Sequence, residues 1–196
     1  MTEENLWLRE KAENPGHAQW YIQRFRDLAA QGADLDGEAR LIDAMVPRGA
    51  AILDAGCGTG RVGGTLAAAG HRVTGVDLDP ELIAEATTQH PQATWLVGDL
   101  AELDLPEKRF DIVVCAGNVF AFLAPSTRAE ALRRLAGHLG EDGRAVIGFG
   151  AGRGYGFDEF LTDAKDAGLT PDLLLGTWDL RPFTPESDFL VAVLRG

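Results

Sequence analysis

The chain has 196 residues, enough for one domain with a sizeable core, and its 45% hydrophobic content is that of an ordinary globular protein. Thirty acidic against eighteen scattered basic residues give a net charge of -12, which opposes a polyanionic nucleic acid as substrate. No apolar run is long enough to cross a bilayer, and the acidic start Met1-Thr2-Glu3-Glu4-Asn5 lacks the features of a signal peptide, so the cytoplasm is the expected compartment. The two cysteines, Cys57 and Cys115, form no CxxC or zinc pattern; they read as small buried residues, and no metal site is expected.

In chain order, Trp20, Tyr21, Phe25 and Leu28 fall at three- and four-residue spacing, predicting a helix from His17 to Ala30 stopped by Gly32. A second helix covers Gly37 to Met45. Strand one is Ala50 to Asp54, and the helix after it runs to Ala69, with Gly70 at the left-handed cap. Strand two, from Arg72, ends on Asp77. Asp79 and Pro80 open the next helix as cap and first residue. Strand three is Thr94 to Val97 and strand four Phe110 to Cys115. Thr127 and Glu130 read as a capping box for a helix to about Gly137. Strand five, Gly143 to Phe149, leads into a glycine-rich turn and a helix from Asp158 to Ala167, stopped by Gly168. Leu173 to Arg181 and Phe189 to Arg195 are strand-like runs joined too closely for a helical crossover, so the pair is expected to be antiparallel. No repeat or linker divides the chain.

The stretch Asp54-Ala55-Gly56-Cys57-Gly58-Thr59-Gly60 joins a buried strand to a helix, and Asp77 follows at the end of the next strand. Glycines there let backbone approach a ligand, and the second acid is placed to accept ribose hydroxyls. Two cofactors compete for this loop. Gly58, Gly60 and Gly63 satisfy GxGxxG with Asp77 nineteen residues beyond Gly58, which alone suits NAD and an NAD(P)-binding oxidoreductase. Four features favour S-adenosylmethionine: Asp54 before the loop, Asp99 after strand three, the antiparallel end of the sheet, and a length that leaves no separate substrate domain.

From Ala50 onward the chain resembles the class I S-adenosylmethionine-dependent methyltransferases. The resemblance implies a doubly wound α/β fold with a seven-stranded sheet of order 3-2-1-4-5-7-6, strand seven antiparallel and helices on both faces. The whole of 1–196 would then be one domain, with 1–46 a helical cap over the site and 50–196 the core. It implies that Asp54, Gly56, Cys57, Gly58 and Gly60 wrap the methionine and ribose part of the cofactor. Asp77 would bind the ribose with Leu78 beside the adenine, Asp99 and Leu100 would contact adenine, and Ala116, Gly117 and Asn118 would face the transferred methyl. S-adenosylhomocysteine would be the product. A non-enzymatic S-adenosylmethionine-binding sensor would carry the same loop.

No Asn/Asp-Pro-Pro-aromatic motif follows strand four, where the chain reads Ala116-Gly117-Asn118-Val119-Phe120-Ala121-Phe122. That argues against methylation of nucleic-acid bases and leaves a small-molecule acceptor as the expectation. Displacement at a sulfonium methyl relies on alignment and desolvation, so an obligate base need not exist. Asn118 and His17 are the candidate catalytic residues. His71, His90 and His138 each precede a strand and so belong to the opposite edge of the sheet. On the first predicted helix, Arg24 suits the methionine carboxylate, with Tyr21 on the same face. Trp20, Phe120, Phe122, Arg153 and Tyr155 are the acceptor-site candidates, with Trp178 and Arg181 on strand six. The acceptor, the attacked atom and the oligomeric state carry no signature in the chain.

Overall fold

The computed structural model describes residues 4–106 and 109–196; Met1, Thr2 and Glu3 of the acidic start lie outside them. Three helices come first: α1 (Leu6–Glu13), α2 (His17–Ala30) and α3 (Gly37–Ala44). The alternating core follows with β1 (Ala51–Ala55), α4 (Arg61–Ala68), β2 (Arg72–Asp77), α5 (Pro80–Gln89), β3 (Thr94–Val97) and β4 (Phe110–Cys115). It closes with α6 (Val119–Phe122), α7 (Arg128–Gly137), β5 (Leu139–Gly150), α8 (Phe157–Asp166), β6 (Thr170–Leu175) and β7 (Phe189–Arg195).

The strands form one seven-stranded sheet of order β3-β2-β1-β4-β5-β7-β6, with β7 antiparallel to both neighbours, as expected. Along β1 and β4 side chains alternate. Ile52, Ile112 and Val114 turn to the face covered by Ala39 and Ile42 of α3 and Val62 and Leu66 of α4. Leu53, Val113 and Cys115 turn to the face covered by Leu132 and Leu135 of α7 and Phe160 of α8. Two covered faces explain why these strands read as unbroken apolar runs. β1 pairs with β2 on one side and β4 on the other, so the winding reverses there and a crevice opens outside the carboxyl ends.

Local signals set most helix ends. The Asp79 side chain accepts from Glu81 N at 2.9 Å with Pro80 next to it, and Gly70 and Gly168 adopt φ +94° and +87° beyond α4 and α8. Three readings change. Thr127 and Glu130 form no capping box: the Thr127 hydroxyl donates to Ala124 O, and Glu130 pairs with Arg133 and Arg134. Strand six ends at Leu175, because Gly176 N donates to Arg181 O, Thr177 Oγ1 bonds Asp179, and Leu180 takes φ 71°, folding 176–181 into a loop. Trp178 and Arg181 therefore leave the sheet ladder. Strand five begins earlier, at Leu139, with an irregular register between Phe110 and Ile112 of its partner.

Candidate functional site

At the switch point the chain leaves β1 through Gly56, whose N–H, with that of Cys57, donates to Val76 O at 2.8 and 3.1 Å. Gly56 has φ +76°, and a Cβ there would sit 2.5 Å from a Val119 methyl, so α6 rests directly on the loop. Gly58 N donates to Asp77 Oδ2 at 2.8 Å and Asp79 N to Asp77 Oδ1 at 2.9 Å, bracing the loop against the end of β2. Gly60 does a different job: a Cβ there would meet Trp95 and Ala86 at about 3 Å, so it serves the packing of α4 on the sheet.

A cavity lies over this loop, lined by Gly56, Gly58, Asp77, Leu78, Asp99, Leu100 and Ala116 and roofed by Trp7, Tyr21 and Phe122. On the other side of Tyr21, Gly56 and Gly117 a smaller chamber is lined by Asp54, Cys57, Phe25 and Arg61. Asp54 is buried and its Oδ2 accepts from Gly63 N at 2.8 Å; burial pushes its carboxyl up to about 7. Burial also raises Asp77, against the pull of its two amide donors. Asp99 Oδ1 accepts from Ala101 N at 2.8 Å, which turns the chain beneath the cavity. Both thiols are free, and burial pushes Cys57 and Cys115 away from ionisation.

The roof comes from the amino-terminal helices. The indole N–H of Trp7 donates to Asp79 Oδ2 at 2.8 Å, and Lys11 Nζ bonds Asp79 Oδ1 and Glu81 Oε1 at 2.9 Å each. The Trp7 ring meets Tyr21 edge-on at 5.4 Å and Phe122 at 6.3 Å. Sequence reasoning missed α1 and Trp7, because α1 has no buried residue and hence no apolar stripe to find. Asn5, which accepts from Trp7 N and also lines the cavity, was the one local sign of a helix start.

Several expected site residues lie elsewhere. Arg24 is exposed on the outer face of α2, stacked over Trp20 and Phe25; the arginine in the chamber is Arg61, which binds Leu35 O and pairs bidentately with Glu38. Trp20 points outward and is 54% exposed. His17 is engaged by Glu10 at 3.0 Å and edges onto Trp7 behind the roof, so it does not hang over the cavity as a base. Phe120 is core, packed on Phe160, whereas Phe122, two residues on, reaches the cavity. Tyr155 is buried under Arg128 with its hydroxyl donating to Asp163 at 2.6 Å. Arg153 stands exposed on its loop. Asn118, at φ 67°, turns its Oδ1 to accept from Gly150 N at 2.8 Å, clamping β4 to β5 instead of entering either space. His71 meets Asp43, and His138 accepts from Leu105 N, away from the crevice.

The donor set suits a nucleoside that carries an amino-acid end. Asp77 and Asp99 keep lone pairs for hydroxyl and amine donors, a Cβ on Gly117 would meet nothing within 4 Å, and the chamber brings an acid and an arginine together. Comparison with known proteins gives the same direction. The methyltransferase-domain family model matches residues 52–143. A TehB-like SAM-dependent methyltransferase from Corynebacterium glutamicum has 55% sequence identity over 93% of this chain and 99% of its own, with a TM-score of 0.90. An uncharacterized methyltransferase of Mycobacterium bovis is 35% identical over 144 residues, 71% of this chain, and the chain spans 62% of that relative's length. A dTDP-3-amino-3,6-dideoxy-alpha-D-glucopyranose N,N-dimethyltransferase of Streptomyces fradiae is 32% identical over 123 residues, 62% of this chain and 47% of its own. The chain belongs to the family of S-adenosylmethionine-dependent methyltransferases.

Proposed function

We propose that this protein moves the methyl group of S-adenosylmethionine to a small-molecule acceptor by in-line displacement. The reading is carried by two neighbouring spaces, one lined by Asp77 and Asp99 and the other by Asp54 and Arg61, which share Tyr21, Gly56, Ala116 and Gly117 in their walls. When bound, the cofactor supplies a methyl group activated by a sulfonium leaving group. Asp77 would accept the ribose hydroxyls, Asp99 an adenine amine, and Leu78 and Leu100 would flank the base. The Gly56–Gly58 backbone and Ala116 would line the middle, with Tyr21 at the junction of the two spaces. Helices α1, α2 and α3 act as a cap: the roof of Trp7 and Tyr21 excludes water, so alignment and desolvation are the protein's main contributions.

No side chain is assigned as a general base. Asn118 contributes by fixing the end of β4 through its bond to Gly150 N. An amine or hydroxyl on a small molecule is the acceptor class we favour, supported by the amino-sugar substrate named for the Streptomyces relative and by this chain's net charge of -12. A cytoplasmic site of action goes with the two free buried thiols. Incubation with S-adenosylmethionine and a panel of amino sugars, sugar nucleotides and small carboxylic acids, read by mass spectrometry, tests the proposal. A cofactor-dependent gain of one methyl on a panel member is expected. Methylation confined to RNA or DNA would overturn it.

A further inference from the structure

Arg153 and Trp178 meet the same stretch of sheet, just outside the two spaces. Ala116, which lines both spaces, turns with Val114 to one face of the sheet, and Val146 of the neighbouring β5 turns to the same face. By two-residue alternation Gly148 and Gly150 lie on that face too, beyond Val146 toward the carboxyl edge. Neither carries a side chain, so β5 offers a flat floor next to Ala116. The half-buried Trp178 closes its inner end, where a Gly148 Cβ would come within 2.5 Å of the ring. At the outer end a Gly150 Cβ would lie 3.6 Å from Arg153 Nε and 3.5 Å from Asn118 Oδ1. The loop that carries Arg153 is braced on both sides of it. Ala151 N donates to Asp188 O at 2.8 Å, and Arg128 Nη1 donates to Gly154 O at 2.9 Å. Arg128 is itself buried, 4.2 Å over the Tyr155 ring, whose hydroxyl is fixed on Asp163. The Arg153 guanidinium, exposed on this braced loop, forms no ion pair among the described residues. Of the acids in 176–188, Asp179 is taken by Thr177 and Arg181, and Asp188 turns its backbone carbonyl to the floor.

We propose, resting on the cofactor reading above, that the acceptor lies on the floor of Gly148 and Gly150 and that Arg153 holds an anionic oxygen group on it, a carboxylate or a phosphate. The accepted small molecules are then anions, and Arg153 sets that specificity. A guanidinium presents a planar fork that meets either group through two parallel bonds. Gly117 precedes Asn118, and the space a Cβ would take there is open. An acceptor held by Arg153 over Gly150 can therefore turn its amine or hydroxyl toward Gly117, in the wall of both cofactor spaces. The net charge of -12 works against any anion at long range, so the discrimination is local to this guanidinium.

The test uses protein saturated with S-adenosylhomocysteine and titrated at constant ionic strength with acetate and, separately, inorganic phosphate, read by backbone amide shifts in nitrogen-15 spectra. Saturable shifts centred on Gly150, Gly152 and Arg153 are expected, with dissociation constants roughly in the millimolar range. The tighter of the two anions tells a carboxylate site from a phosphate site. Arg153→Gln should weaken that binding at least about tenfold and hold S-adenosylhomocysteine affinity within about twofold; Arg24→Gln, at an exposed arginine of α2, should change neither. In the methylation assay, an acceptor should carry a carboxylate or phosphate, and Arg153→Gln should raise its KM at least about tenfold with kcat within about threefold. Anion shifts that are absent or unmoved by Arg153→Gln, or turnover of a neutral acceptor with its KM unmoved, overturn the inference and leave the cofactor reading intact. Failure of the wild-type protein to bind S-adenosylhomocysteine removes the reading and the inference with it.

Discussion

Replacing Asp77 separates the two duties the structure gives it. Its carboxylate accepts Gly58 N on Oδ2 and Asp79 N on Oδ1, so Asp77→Ala leaves two half-buried amides without their acceptor. At about 1–2 kcal/mol for each orphaned donor, the variant should lose about 2–4 kcal/mol of stability before any ligand is considered. The sequence alone suggests a loss of binding with little loss of stability; the loop brace changes that expectation. Asp77→Asn is the cleaner probe, because its Oδ1 keeps one amide and should cost only about 1–2 kcal/mol. Its Nδ2 cannot accept a ribose hydroxyl, so affinity for S-adenosylhomocysteine should fall roughly ten- to a hundredfold, the worth of one charge-assisted bond. Urea unfolding reads the first quantity and titration calorimetry the second. An unchanged urea midpoint for Asp77→Ala would refute the brace, and wild-type affinity in Asp77→Asn would refute the ribose role.

Gly56→Ala should cost about 1–2 kcal/mol in backbone strain and about 1–3 kcal/mol from the Val119 methyls 2.5 Å away. Combining it with Val119→Ala should recover the second part only, and a double-mutant cycle in urea with no coupling contradicts the packing account. Trp7→Phe keeps the ring on Tyr21 and Phe122 but deletes the bond to Asp79, so stopped-flow should show S-adenosylhomocysteine leaving severalfold faster; an unchanged off-rate argues against the roof. Because the Asp54 carboxyl is raised from about 3.9 in the unfolded chain to about 7 in the native state, native protein holds a proton that unfolded protein releases. Stability should therefore fall as pH rises from 4 to 7 and level off above, relative to Asp54→Asn; a rising difference curve has the wrong sign for this account.

Strands two, three, four and seven were legible to within a residue because each is a short β-branched or apolar run bounded by glycine, proline or acid. Sheet order followed from the resemblance and from the short β6–β7 connection. The glycine loop was legible because its spacing is imposed by a turn and by close backbone approach. The roof was not: Trp7 and Lys11 find their partners about 70 residues away, and nothing local in α1 records an interaction with Asp79. Phe120 and Phe122 differ by two positions on the short helix α6, so core and cavity roles depend on how that helix lies on Gly56. Arg24 misses the site for a similar reason. The face of α2 that meets the loop is chosen by the burial of Ala18 and Ile22, which turns Tyr21 inward and Arg24 out. Strand six was overextended because Trp178 and Leu180 look strand-like, while the turn is made by Gly176, Thr177 and Asp179.

On the proposed reading, the space above Gly56 and Asp77 takes an adenosyl ligand with an amino-acid end. The most direct measurement is titration calorimetry of the purified protein with S-adenosylhomocysteine and, separately, with NADH and NADPH. Saturable one-to-one binding of S-adenosylhomocysteine and no heat from either nicotinamide is the predicted result. Binding of a nicotinamide cofactor with none of S-adenosylhomocysteine would contradict it.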